Sequence, residues 1–203
     1  MNLILESTIA EASDADLQNI SSSFVDRSPE ELLKWSLDQF GRDVALATGF
    51  GAEGCVLIHM LASVDKTARF FFLDTDLLFP ETYQLRDTLE SRYHIRFEKR
   101  ASRLSLAEQS HLYGDELWLR NPDECCHLRK VEPLNNTLQG LKAWITAIRR
   151  DQSPARANAG LIERDRKFGI IKINPLAAWS SRDVWSFIFK NDVPYNPLHD
   201  LNY

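Results

Sequence analysis

A short apolar run that empties into glycines restricts the fold more than any other feature: Val44-Ala45-Leu46-Ala47, then Thr48-Gly49-Phe50-Gly51-Ala52-Glu53-Gly54. Val56, Leu57, Met60 and Leu61 follow at helical spacing. Strand, glycine-rich turn and helix, in that order, form the opening unit of an open parallel sheet. The alternation continues. Phe70-Phe71-Phe72-Leu73 reads as a second strand ending in Asp74-Thr75-Asp76, and Pro80-Glu81 opens a helix with Leu85 and Leu89 on its inner face. Ile95-Arg96-Phe97-Glu98 gives a third strand, residues 144–148 a fourth and residues 170–173 a fifth. Ser180 caps a last helix, with Asp183 three residues on and Val184, Phe187 and Ile188 on its buried side. Ser28-Pro29-Glu30-Glu31 carries a hydroxyl cap, a proline at the first helical position and a capping-box glutamate, so residues 1–42 read as peripheral helices. The expected class is α/β, a doubly wound, mostly parallel sheet of Rossmann-like form, folded as one domain over 1–203.

Composition narrows the function. A net charge of −5 argues against a general nucleic-acid or membrane-surface binder, since phosphate surfaces demand broad positive potential. The charge is uneven, however, with Arg149, Arg150, Arg156, Arg164, Arg166 and Lys167 forming one basic island. An island of that kind in an acidic chain suits a small anion. No apolar run is long enough to span a bilayer and no signal-peptide pattern opens the chain, so a cytoplasmic protein is expected. Three cysteines are too few for a disulfide framework, and two of them, Cys125 and Cys126, are adjacent.

Four places can carry chemistry. Thr48, Gly49, Phe50, Gly51 and Glu53 form a turn whose backbone N–H groups suit a phosphate at a helix N-terminus, although a ligand-free strand-to-helix turn would look the same. The turn lacks the Lys-Ser/Thr of a P-loop. Asp74, with Thr75 and Asp76, stands at a strand end, where it would hold a ribose hydroxyl or a metal, or simply cap the next helix. Arg149, Arg150, Gln152, Ser153 and Arg156 follow a strand directly and offer guanidinium, amide and hydroxyl donors to a sulfate or phosphate. The Cys125-Cys126 pair, followed by Arg129 and Lys130, suits two corners of an iron–sulfur cluster whose charge the cations would offset; two reduced helical thiols are the plainer reading.

Together these stretches resemble the adenylylsulfate and phosphoadenylylsulfate reductases. The matching pieces are Gly49 to Glu53, Leu73-Asp74-Thr75 with Leu78 to Thr82, Cys125-Cys126 through Leu134, and Trp144-Ile145-Thr146 with residues 148–153 and Arg156. The resemblance implies an adenine nucleotide α-hydrolase-like fold whose glycine turn and arginine loop hold a nucleotide and its sulfate. It implies thiolate attack on the sulfur by a tail cysteine, an S-sulfocysteine, and release of sulfite by thioredoxin or glutaredoxin. It also implies that Cys125 and Cys126 are two of four ligands of a 4Fe-4S cluster, a doublet typical of members that take adenylylsulfate, with Lys130 between cluster and substrate. A phosphoadenylylsulfate reductase is the nearest alternative. A nucleotidyl-transfer enzyme of the same fold, or a non-catalytic nucleotide-binding module, comes next, and a homo-oligomer is left open. The sequence departs from the pattern at Asp76, where many relatives have glycine, at Leu77, where many have arginine, and at Gly54, where many have aspartate. It closes at Asn202-Tyr203, where relatives continue into a second cysteine pair and the nucleophile, so the 203 residues are expected to bind nucleotide without turnover.

Overall fold

The computed structural model describes residues 9–201. Residues 1–8 of the peripheral segment, and 202–203, lie outside the described residues. Chain order runs α1 (Asp14–Ser22), α2 (Pro29–Phe40), β1 (Val44–Thr48), α3 (Ala52–Val64), β2 (Arg69–Asp74), α4 (Pro80–Tyr93) and β3 (Phe97–Ala101). Short helices α5 (Leu106–Tyr113), α6 (Leu117–Arg120), α7 (Pro122–Cys126) and α8 (Glu132–Leu138) follow, with one π-helical stretch at His127–Val131 between the last two. The chain closes with β4 (Ala143–Ile145), β5 (Ile162–Arg164), β6 (Ile171–Ile173) and α9 (Ser181–Lys190).

The six strands are ordered β3-β2-β1-β4-β6-β5. All pairings are parallel except β5 on β6, which is antiparallel at the edge. The α/β class with a mostly parallel sheet therefore holds. Strand boundaries differ from the sequence reading. The third strand lies at Phe97–Ala101 because His94 ends α4 in a left-handed conformation and Ile95 dips into the core before pairing begins. The fourth stops at Ile145, and the antiparallel Ile162–Arg164 escaped notice because three residues with one buried apolar side chain show no period.

One face of the sheet carries the main core. Leu46, Phe70, Phe72, Ile145, Ile171 and Ile173 pack there against α3, α2 and α9. Each such side chain contributes roughly 1.5–3 kcal/mol on burial. The opposite face is thinner, with Ala45, Phe71, Leu138 and Leu141 buried and Trp144 and Phe168 partly covered. The β5 edge is protected by the peripheral segment: Arg164 donates to the carbonyls of Ala10 and Ala12, and the Ile162 amide donates to Ser21 Oγ at 3.2 Å.

Because the chain moves outward from β1 through β2 to β3 and then returns to β4 on the other side, the crevice of this sheet opens between β1 and β4. Ligands of such sheets lie beyond the carboxyl ends of the strands at that reversal.

Candidate active site

The turn after β1 departs from a glycine-only design. The left-handed residue is Phe50, at φ 61°, and neither Gly49 nor Gly51 has a positive φ. A bulky residue in that region costs on the order of 1–2 kcal/mol. The ring of Phe50 is fixed by contacts with Phe72 and Phe97 at centroid distances of 5.4 and 5.1 Å, and its amide donates to Thr48 Oγ1 at 3.0 Å. Phe50 was expected to touch substrate; its side chain is instead core, and only its backbone can address a ligand. Gly51 is the N-cap of α3 and makes no side-chain capping bond, so the amides of that first turn are left for another acceptor. Gly54 is required by crowding, because a Cβ there would lie 2.7 Å from Thr48 Oγ1. An aspartate at this position would collide with this chain's threonine.

The loop after β4 is tied to the same turn. Arg149 is buried, and its Nε donates to Glu53 Oε1 at 2.9 Å. Its Nη1 pairs with Asp151. Gln152 Nε2 donates to Glu53 Oε1 at 3.2 Å, while its Oε1 accepts from the Arg149 amide and from Arg156. Glu53 thus binds the first turn of α3 to the arginine loop. Arg150 and Arg156 are exposed, and Ser153 is half-buried beside them.

Asp74 ends β2 almost fully buried. It accepts from Tyr83 Oη at 2.6 Å and from the Asp76 amide, and it pairs with Lys99 Nζ at 2.8 Å. Burial works to raise its pKa, but the bonds from Lys99, Tyr83 and the amide outweigh it and leave the carboxyl below its ordinary value. Tyr83 is pushed up to about 12 by burial and by the carboxylate it serves. Both oxygens of Asp74 are engaged within the protein, Oδ1 by Tyr83 and the Asp76 amide and Oδ2 by Lys99. Asp76 follows at φ 56°, which explains why glycine suits this position elsewhere.

The cysteines sit on α7, whose start is set by Asn121 capping the Glu124 amide and by Pro122 at the first helical position. Cys125 is buried with Leu117 and Leu128, and Cys126 is exposed. The π-helical turn that follows buries Arg129 and leaves Lys130 exposed. Arg129 donates to Gln109 Oε1 at 2.7 Å, the Thr75 carbonyl at 3.1 Å and Asp76 Oδ2 at 3.0 Å. Its charge is therefore engaged by the protein, and of the two cations expected to face a cluster only Lys130 has no ion pair among the described residues.

These pieces meet in a cavity of about 340 Å³ lined by Gly49, Thr75, Cys125, Cys126, Arg129 and Lys130, together with the partly exposed apolar side chains of Leu77, Phe79 and Trp118. The thiol doublet and the glycine bend share one rim. Arg150, Ser153 and Arg156 do not line this cavity; they reach the rim only through the Glu53 link. Cys55 lies apart on α3, with its thiol pushed up to about 12 by burial and the nearby Glu53 charge. Among the described residues, no group of three or more His, Cys, Asp or Glu is placed to hold a metal ion. Sequence reasoning missed Lys99, Tyr83 and Gln109, whose partners lie on other elements, nine residues away for Tyr83 and 20 for Gln109.

Comparison with known proteins follows the same lines. Residues 43–203 match the phosphoadenosine phosphosulfate reductase domain. The chain belongs to that family. An adenosine 5'-phosphosulfate reductase of Salinibacter ruber is 46% identical over 191 residues, covering 94% of this chain and 76% of the relative. A phosphoadenosine 5'-phosphosulfate reductase of Gloeobacter violaceus is 40% identical over 201 residues, covering 98% and 83%. Among solved structures, phosphoadenylyl-sulfate reductase from Candida auris in a phosphate complex superposes with a TM-score of 0.84 at 33% identity, covering 95% and 93%. As a member of this reductase family the chain is an oxidoreductase acting on sulfur. No helix among the described residues is long and apolar enough to cross a membrane.

Proposed function

We propose that this reductase takes adenylylsulfate to sulfite and AMP in sulfate assimilation, with its substrate at the β1/β4 crevice. The observation that carries the reading is the shared rim: the uncapped turn of α3, the arginine loop clamped to it by Glu53, and the thiol doublet beside Gly49. The amides of residues after Gly51 suit a phosphate, and the exposed Arg150, Arg156 and Lys130 suit the sulfate oxygens. Thr48, Gly49, Gly51, Thr75, Gln152 and Ser153 complete the contacts in this reading.

The chemistry is a displacement at sulfur. A cysteine thiolate forms an S–S bond to the sulfonate, the sulfur–oxygen bond to the nucleotide breaks, and AMP leaves with that electron pair. A dithiol donor such as thioredoxin or glutaredoxin then attacks the S-sulfocysteine, releasing sulfite and returning the thiolate as the donor closes its own disulfide. Charge on the sulfonate oxygens must be neutralised while the sulfur is attacked, which is the task of the cationic rim. We assign the attacking thiolate to a cysteine outside these 203 residues. The buried thiol of Cys55 argues against it as the nucleophile, and Cys125 and Cys126 are occupied in this reading as ligands.

The doublet fits a 4Fe-4S cluster in donor type and placement, since both thiols line one cavity and Lys130 lies beside them. It supplies two of the four thiolates such a cluster takes. When bound, the cluster adds a compact anionic body whose charge Lys130 offsets next to the sulfate site. By the family resemblance such a doublet is typical of members that take adenylylsulfate; its 3'-phosphorylated form is the second reading, and a Gloeobacter relative carries that name.

Calorimetric titration of the 203-residue chain with both nucleotides tests the assignment, with adenylylsulfate expected to bind at least about tenfold more tightly. Tighter binding of phosphoadenylylsulfate would reverse it. The same chain with thioredoxin present is expected to release no sulfite.

A further inference from the structure

Asn174 lies directly after β6, is wholly buried, and belongs to none of the groups assigned above. Buried side-chain amides persist where their polar atoms are partnered. Here both amide hydrogens and the carbonyl oxygen are. Asn174 Oδ1 accepts from Thr146 Oγ1, the first residue after β4. Asn174 Nδ2 donates to the Gly160 carbonyl at 2.8 Å and to Glu163 Oε1 at 3.0 Å. The Asn174 amide donates to the Leu161 carbonyl at 2.8 Å, and Glu163 Oε2 accepts from the Gly160 amide at 3.0 Å.

Thr146 and Gly160 are the two ends of the segment that carries Arg149, Arg150, Gln152, Ser153 and Arg156. One side chain therefore closes the base of the arginine loop by binding both ends at once. The loop leans further on the turn that Asn174 begins. Its carbonyl accepts from Ala177 at 3.0 Å, and the Ala177 carbonyl accepts from the Arg150 amide at 3.0 Å. A side chain at Gly160 would be crowded, because a Cβ there would lie 3.1 Å from the Ile162 carbonyl.

The geometry points to Asn174 as a positioning residue for anion recognition, closing residues 147–159 into the conformation that presents the guanidinium groups. This rests on the arginine loop's being the sulfate site. An open loop must be ordered at the moment of binding, so apparent affinity falls in proportion to the closed fraction. Ligand-bound protein regains the closed loop.

Hydrogen–deuterium exchange and adenylylsulfate titration on the same proteins test this. Asn174→Ala is expected to speed exchange across 147–159 while residues 44–48 stay protected, and to weaken adenylylsulfate about tenfold. Saturating nucleotide should restore loop protection, which a merely structural defect would not allow. Thr146→Val and Glu163→Gln each remove part of the closure with little change of volume, and should give smaller losses of the same kind. They keep the test alive if Asn174→Ala does not fold. Loop exchange unchanged in all variants, exchange raised equally in 44–48, or a faster loop with unaltered affinity would each overturn the proposal. Failure of the unaltered chain to bind adenylylsulfate would instead sink the functional assignment, while exchange without ligand would still decide whether Asn174 closes the loop.

Discussion

The two halves of the rim are held by opposite means. On the β4 side, carboxylates restrain cations: Glu53 and Asp151 grip Arg149, and the neighbouring arginines stay exposed. On the β2 side, a cation restrains the backbone: Arg129, 1% exposed, ties the cysteine helix to the Thr75 carbonyl, Asp76 and Gln109. The first arrangement is partly open to water, with Asp151 about half exposed, and an anion can compete with its carboxylates for guanidinium groups. The second is more enclosed, with Arg129 buried and Asp76 about one-third exposed, although Arg129 and Thr75 still line the cavity. Position is set at the thiol side by a buried anchor, and charge is offered at the arginine side by a loop that can still adjust.

Removing the anchor breaks the comparison most severely. Arg129→Met leaves four acceptors, on Gln109, Thr75, Asp76 and Leu104, without their donor and should cost about 3 kcal/mol, the scale found when one partner of a buried pair is lost. Urea unfolding monitored by tryptophan fluorescence measures it. A loss below about 1 kcal/mol would mean that the cysteine helix is held by its apolar contacts with Leu117 and Leu128 instead. On the other side, Glu53→Ala should destabilise by only about 1.5 kcal/mol, since Arg149 keeps Asp151, and should weaken adenylylsulfate about tenfold as Arg149 and Gln152 lose their common acceptor. Equal destabilisation by the two variants would erase the distinction between a buried anchor and an adjustable clamp.

How much of this was readable follows from the range of the interactions. The glycine turn, the strand of three phenylalanines and the cap at Ser180 are local patterns, and each element is where its residues put it. The convergence of the cysteine pair with Gly49 was foreshadowed only by resemblance, since 76 positions separate Gly49 from Cys125. The roles of Arg129 and Asn174 were not legible. Each depends on partners that become neighbours only when the sheet forms, Thr75 and Asp76 for one, Thr146 and Gly160 for the other. Phe50 shows the limit in reverse: glycines announce a turn, yet the left-handed residue is the aromatic between them, because the core fixes its ring.

The smallest expected effect concerns acid. Asp74 ends β2 on the thiol side, and its carboxyl sits below the ordinary value of 3.8 because Lys99, Tyr83 and the Asp76 amide favour the charged form against burial. A carboxyl whose folded value is depressed contributes fully above the unfolded value and loses that contribution as pH falls through the folded one. Lys99, held above its ordinary value chiefly by the bond it donates to Asp74, stays charged throughout this range and adds no slope of its own. Stability should therefore drop more steeply with acid in the native chain than in Asp74→Asn, with the two curves drawing together below about pH 4. Glu98, also depressed through its bonds to Arg69, contributes in the same direction to both proteins and cancels in the difference. Parallel melting curves would show that Lys99, half exposed to solvent, holds Asp74 too weakly to matter, and that Tyr83 and the turn amide carry the end of β2 without it.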